Sequence, residues 1–170
     1  MRAELVAELY SQIELISNSS IRSFVQDMVS LGRASFFTQP ASRDHHLPDE
    51  RGESGNLLHT IRVVKIVLVL VDACSMTKDS KDVLVASAIL HDLCRYDLEG
   101  EYSGTDHPML VRKMAEEYGL TCSFYELIMD MVEKHMGKWG DPPFTPKVGM
   151  DAILHLADCV EAHLPEVIQC

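Results

Sequence analysis

The sequence is short of positive charge. Fifteen Lys and Arg stand against 26 Asp and Glu, for a formal net charge of -11 at pH 7. Binding to long polyanions depends on Lys and Arg neutralising phosphates, so an acidic chain with no long basic run is not expected to grip extended nucleic acid. A local basic pocket for one small phosphate is compatible with this balance, and so is a site that collects divalent cations. Paired cysteines are also lacking. Cys74, Cys94, Cys122, Cys159 and Cys170 are odd in number and form no C-x-x-C pair, which argues against a disulfide framework and a zinc knuckle. Reduced cysteines suit the cytosol, so a cytoplasmic protein is expected. Glu4, Glu8 and Glu14 interrupt the N-terminal stretch, so no signal peptide is read there. The most apolar run, Val63 to Cys74, carries Lys65 and Asp72 and is too short to span a bilayer; it reads as a buried helix, and no membrane association is expected. No Walker loop and no G-x-S-x-G element occurs, which leaves the competing phosphoryl- and acyl-transfer schemes without support.

What is present is helical periodicity. The chain has 170 residues, 46% of them hydrophobic, enough for one domain over residues 1–170 with a core that needs no staples. Leu5, Leu9, Ile13 and Ile16 recur at helical spacing, predicting an amphipathic helix over 3–16. Asn18, Ser19 and Ser20 break it and can cap a second helix that runs on to about Phe36. Residues 38–55 are polar and punctuated by Pro40, Pro48, Gly52 and Gly55, so they form a long loop of the kind that is often functional. Ser54 can cap a third helix to Cys74, Asp79 or Ser80 a fourth from about Lys81 to Leu93, and Ser123 a sixth to about Met136; the fifth covers 107–118 with Pro108 in its first turn, and the seventh runs from Gly149 to about His163. The fold class is all-α, a bundle of about seven helices.

The residues that can carry chemistry are histidines and aspartates. Eight histidines occur: His45, His46, His59, His91, His107, His135, His155 and His163. His59 falls in the third helix, His91 and Asp92 at the end of the fourth, His107 at the start of the fifth, His135 at the end of the sixth and Asp158 in the seventh. A His-Asp dipeptide alone says little, and a lone histidine on an apolar face is usually a hydrogen-bonded core residue. Context adds weight here. Asp92 follows the apolar run Leu84 to Leu90, and Asp158 sits in ILHLADCVEA. Buried carboxylates are costly unless paired or bound to a cation, and few Lys or Arg lie nearby. Bundle cores are common places for such sites, so a metal centre is expected.

The order H…HD…D, formed by His59, His91-Asp92 and Asp158, resembles the HD-domain superfamily of metal-dependent phosphohydrolases. The resemblance covers roughly residues 36 to 163. FFTQPASRDHH (36–46) followed by NLLHT (56–60) is similar to the HD domains of certain 3′-to-5′ exoribonucleases, AILHDLCR (88–95) is similar to the usual A-x-L-H-D-x-x-K block, and VEKHMG (132–137) and DAILHLADCVEA (151–162) follow in the expected order. The resemblance implies that His59, His91, Asp92 and Asp158 are metal ligands. It implies that His107 and His135 are the two further histidines of a dinuclear branch, which includes cyclic-dinucleotide phosphodiesterases and dinucleoside-tetraphosphate hydrolases. With all six engaged, Asp92 would bridge two ions. Three departures bear on the substrate: the usual Lys of H-D-x-x-K is Arg95, Cys94 precedes it in place of a smaller residue, and Ser54-Gly55-Asn56 replaces a glycine pair. Arg95 can hold a phosphate through two hydrogen bonds. The exoribonucleases carry an additional nucleic-acid-binding domain, and none is read in this chain.

For His45 and His46 two readings stay open: an approach to metal or phosphate, with His46 the substrate-binding candidate, or exposure to solvent. His155 is expected in the core and His163 at the surface; Lys134 and Lys138 flank His135 and could meet a phosphate but are expected at the surface, and Trp139 could stack on a base but is expected in packing. The mixed His and carboxylate set suits one or two divalent ions, iron or manganese first, with zinc, nickel, cobalt or magnesium also compatible. Such an ion supplies hydroxide at neutral pH, with Asp92 and Arg95 as the catalytic pair and Arg95 offsetting charge on the transferring group. The expected activity is hydrolysis of a phosphoester or phosphoanhydride of a small nucleotide-type substrate. The alternatives are a nuclease acting on short single strands, and a metal- or nucleotide-binding regulatory module without turnover. A homo-oligomer is compatible with all three.

Overall fold

Apolar residues three and four apart along most of the chain build helix after helix. The computed structural model describes residues 2–41, 46–97, 99–140, 143–145 and 149–167, with 163–167 described by backbone alone. Among them run α1 (Arg2–Ile13), α2 (Ser19–Leu31), α3 (Ala34–Thr38), α4 (Gly55–Ala73), α5 (Lys78–Leu90), α6 (His107–Glu117), α7 (Tyr125–Lys134) and α8 (Met150–Val167), with short 3-10 turns at Pro48–Glu50 and Gly137–Trp139. The extended pairing found among the described residues is one isolated bridge between Tyr96 and Tyr102, so the all-α class holds. No helix among the described residues is long and apolar enough to cross a membrane.

Two helices form the centre. α4 packs on α1, α3, α5 and α8, while α5 packs on α1, α2, α7 and α8 as well. Residues Asp82 to Leu90 of α5 are buried without a break, as expected of a helix that is apolar on all sides. Each fully buried aliphatic side chain contributes about 1.5–3 kcal/mol, and α5 carries the densest run of them. Its last buried residues, Ile89 and Leu90, deliver His91 and Asp92 into the interior rather than to the surface.

Helix ends depart from expectation where backbone geometry overrides side-chain type. α2 stops at Leu31, and the stretch up to Phe36 belongs partly to the separate helix α3, because Gly32 turns the chain out of helical conformation at φ -54, ψ 143. α1 ends at Ile13, although Ile16 is still fully buried. Asn18 caps α2 as expected, accepting from the Ser20 and Ile21 amides. α5 is capped by Thr77 instead of Asp79 or Ser80, through the Ser80 amide at 3.2 Å. Ser54 adopts φ 63 and its hydroxyl caps nothing. The start of α4 is held by backbone bonds from the Ser54 and Asn56 amides to Thr38 and Gln39. At α7, Phe124 with φ 62 precedes the helix, and the Ser123 amide donates to Ser20 Oγ instead of Ser123 capping the helix.

Asp82 ties the α1–α2 connection to α5. Its carboxylate is 1% exposed and accepts from the Ser17 amide at 2.9 Å, the Ser17 hydroxyl at 2.6 Å and the Asn18 amide at 2.8 Å. Substituting Asp82→Ala strands two backbone donors, at about 3 kcal/mol in total. Thermal unfolding should show a fall in Tm of roughly 6–12 °C for a chain of this size. An unchanged Tm would mean that water takes over these bonds.

Candidate metal centre

Five elements converge. α4 brings His59, the turns after α5 bring His91 and Asp92, α6 begins with His107, His135 follows α7, and α8 carries Asp158. Three of the four histidines sit at a helix end, where the ring folds back on its own turn. His91 Nδ1 lies 2.7 Å from the Ala88 carbonyl, His107 Nδ1 2.9 Å from that of Gly104 and His135 Nδ1 2.7 Å from that of Val132. A carbonyl oxygen only accepts, so each Nδ1 carries a proton and donates. In a neutral ring Nε2 is then an acceptor. His59 lies within α4, and its Nδ1 is 2.5 Å from Glu161 Oε2.

The Nε2 atoms gather around Asp92, which is 1% exposed. Asp92 Oδ1 is 2.9 Å from His107 Nε2 and 3.5 Å from His135 Nε2. Asp92 Oδ2 is 3.8 Å from His91 Nε2, 4.0 Å from His59 Nε2 and 2.6 Å from Arg95 Nη1. Asp158 Oδ1 lies 3.2 Å from His59 Nε2. Asp92 thus turns one oxygen to His107 and His135 and the other to His59 and His91. The structure therefore brings together all six residues expected as ligands.

The donor set fits a divalent cation. His59 Nε2 and His91 Nε2 are 3.2 Å apart, and with both Nδ1 atoms committed as donors, two lone pairs would face each other unless a proton or a cation lies between. Without an ion the proton is on His59. Burial opposes its charge, but hydrogen bonds to Asp158 and Glu161 hold its pKa up at about 10. Burial pushes His91 down to about 4 against the pull of Asp92. Burial also opposes charge on His135, yet its hydrogen bond to Asp92 raises it. Both carboxylates resist protonation despite burial: Arg95 and the neighbouring histidines hold Asp92 well below the usual range, and His59 does the same for Asp158. A metal ion entering such a centre displaces the shared protons. The subsets His59–His91–Asp158 and His91–Asp92–His135 each place their ligand atoms within 4.8 Å of one another.

Beside the centre opens a cavity of about 980 Å³ lined by, among others, His46, Arg95, Tyr102, His135, Trp139 and Asp158, at the upper end of the range for small-molecule sites. Arg95 is held by Asp92, lies 5.7 Å from the centre of the Tyr102 ring, and has a buried Nε without a hydrogen-bond partner. His46 is buried and its ring meets that of His59 edge-on at 4.5 Å, so the solvent-exposed reading is set aside for it. His45 lies outside the described residues, as does the side chain of His163. Trp139, expected in packing, is 53% exposed on the cavity wall, because the 3-10 turn Gly137–Trp139 swings it outward. Lys134 pairs with Asp130 one turn back. Two residues went unnoticed in the sequence. Glu161 is fully buried against His59, and Glu50, from the long loop, is fully buried beside His46. Glu161 carried a signal, since it sits one turn after Asp158 in an apolar helix; Glu50 carried none.

A family model described as HD domain matches residues 56–163. The chain is 27% identical over 176 residues to the 3'-5' exoribonuclease YhaM of Listeria innocua, covering 95% of this chain and 54% of that protein. It is 26% identical over 178 residues to the protein of that name from Listeria monocytogenes serotype 4b, covering 96% and 55% respectively. The chain therefore spans about half the length of the curated relatives it matches. No solved structure is matched.

His155, expected in the core, is only half-buried and packs against the turn that follows His135. Its Nδ1 donates to the His135 carbonyl at 2.6 Å, and its ring fills the space over Gly137, which has φ 59 and where a Cβ would fall 2.4 Å from His155 Cε1. Substituting Gly137→Ala adds a left-handed-region penalty and displaces His155, together about 2–3 kcal/mol. Chemical denaturation should register this loss; stability within about 0.5 kcal/mol of the native chain would mean that the turn relaxes around the added methyl group.

Proposed function

The chain belongs to the HD-domain family, and on that premise we propose that it is a metal-dependent phosphohydrolase whose ligands are His59, His91, Asp92, His107, His135 and Asp158. The observation that carries this reading is the convergence of four histidine Nε2 atoms on the two oxygens of one buried carboxylate, Asp92. In that role Asp92 would be the ligand common to both halves of the set, with one oxygen turned to His107 and His135 and the other to His59 and His91. A divalent ion bound there lowers the pKa of water towards neutrality and supplies hydroxide at pH 7.

The protein's own groups do the rest. The Arg95 guanidinium, fixed by Asp92 and flanked by Tyr102, faces the cavity and offsets negative charge on the phosphate. His46 borders the same cavity with its ring against that of His59, where it can contact the substrate. A cysteine nucleophile has no support: burial pushes the Cys159 and Cys94 thiols up to about 11, which leaves them protonated at neutral pH.

The substrate proposed is a phosphoester or phosphoanhydride of a small nucleotide, for which iron or manganese is the favoured ion. The net charge argued against nucleic acid, but the name of the relatives, 3'-5' exoribonuclease, argues the other way. Short single-stranded RNA is therefore the second reading. In either case one phosphate meets Arg95 while a base can lie against Trp139 or Tyr102.

Elemental analysis of protein purified without chelator, beside Asp92→Ala, tests the centre. About two equivalents of iron or manganese, lost in the variant, are expected for a two-ion site. Manganese at about 100 times its Kd should also stabilise the native protein by about 2.7 kcal/mol. About one equivalent would remove His107 and His135 from the ligand set, and no binding of manganese, iron or zinc would overturn the reading. Turnover of short RNA but not of nucleotides would decide for the second substrate class.

A further inference from the structure

We propose that Glu161, its charge offset by an Arg62 that Glu50 holds in place, is a positioning residue that fixes the orientation and tautomer of His59. The proposal rests on the reading of His59 as a metal ligand given above. Three of the four histidines obtain their orientation from a backbone carbonyl three residues earlier. His59 is within α4, where the neighbouring carbonyls serve the helix itself, so its Nδ1 needs a partner from elsewhere. Glu161 provides it at 2.5 Å. Asp158, one helical turn earlier on α8, stands 3.2 Å from Nε2 of the same ring. One face of α8 therefore clamps the imidazole from both sides: Glu161 accepts the hydrogen bond from Nδ1–H, and Nε2 is left pointing at Asp158 and Asp92.

A carboxylate this deeply buried needs support of its own. Arg62, three residues after His59 on α4, has Nη1 2.6 Å from Glu50 Oε1 and, beyond hydrogen-bond reach, 3.8 Å from Glu161 Oε1, so it offsets the charge of Glu161 without bonding it. Arg62 also pairs with Asp49 through both Nη atoms. His46 Nδ1 is 3.3 Å from Glu50 Oε2. The turn Pro48–Glu50 can come this close because position 55 is glycine: a Cβ there would fall 1.7 Å from the Glu50 carbonyl oxygen, which accepts from the Ala41 amide. The long polar loop thus reaches the metal centre through Glu50, Arg62 and Glu161 in turn.

The same four side chains, His46, Glu50, His59 and Glu161, could instead hold a further cation, since their ligand atoms lie within 4.8 Å of one another. Two observations favour positioning. The Arg62 guanidinium already lies against Glu50, and the separation of His59 Nδ1 from Glu161 is that of a direct hydrogen bond, with no space for an ion between.

The test uses the full chain, stripped of metal and titrated with Mn²⁺ by calorimetry, for the native protein, Glu161→Ala, Glu161→Gln and Glu50→Gln. In Glu161→Ala the Kd for Mn²⁺ should rise roughly 10–100-fold. Glu161→Gln keeps an acceptor for Nδ1 and should recover part of the loss. A second readout needs no metal: in ¹⁵N-labelled stripped protein the His59 Nδ1–H resonance should be present in the native chain and in Glu161→Gln, and absent in Glu161→Ala. Should Glu161→Ala fail to fold, Glu50→Gln serves instead, with a several-fold weaker Mn²⁺ Kd expected. Unchanged affinity in the variants beside normal binding by the native chain would overturn the proposal alone. A third equivalent of Mn²⁺, lost in Glu50→Gln, would overturn it in favour of a further cation site. No Mn²⁺ binding by the native chain would overturn the ligand reading and this proposal with it.

Discussion

The structure depends on one constraint: a carboxylate buried at the end of an apolar helix must be surrounded by donors or cations. Asp92 is put inside by the unbroken burial of α5 up to Leu90. Once there it has Arg95 as a charged donor, while His107 and His135, whose Nδ1 protons are already donated to carbonyls, satisfy it only when Nε2 is protonated too or a cation lies between. Those partners come from the turns after α5, from the start of α6 and from the end of α7. The positions of these elements are therefore as much a consequence of satisfying Asp92 as of burying apolar surface. α8 adds Asp158 to the opposite side, and the resulting excess of acceptors over donors is what a divalent ion relieves.

Much of this was legible in the sequence, for a physical reason. Helical periodicity survives in a chain whose core is mostly Val, Leu, Ile and Met with a few Ala and Phe, and most of the site histidines stand out where that periodicity stops. His91, His107 and His135 were readable because each marks a helix end, and a ring at a helix end can bond its own turn. Asp92 and Asp158 were readable because each interrupts apolar sequence. Helix limits were less legible. Backbone turns at Gly32, Ser54 and Phe124 decide them, and nothing in residue type separates Thr77 from Asp79 or Ser80 as the cap of α5.

The hidden part of the site lay in the loop. Glu50 is one of several acidic residues in a polar stretch, and it looks solvated until Gly55 is seen to admit its backbone and Arg62 to receive its side chain. Glu161 did carry a signal, one turn after Asp158 in the same apolar helix, and went unread because a glutamate in a helix is ordinarily an exposed one. Trp139 erred in the opposite direction. An isolated tryptophan is usually packed, yet Trp139, at the end of the 3-10 turn and with its ring 6.0 Å from that of His155, is left 53% exposed on the cavity wall.

Charge around the cavity bears on which phosphate is taken. The centre and Arg95 favour one phosphate group at the inner end. The cavity lining also includes Glu99 and Glu101, both exposed, and like charges at short range repel, less so where water and salt reach them. Under the proposed reading a substrate with a single reacting phosphate and a base turned towards Trp139 meets attraction along its length, whereas a strand leaving past residues 99–101 carries its next phosphates towards carboxylates. The acidic balance that was first visible as a property of the whole chain thus becomes a local one, and it weighs on the length of the substrate more than on whether it is a nucleotide.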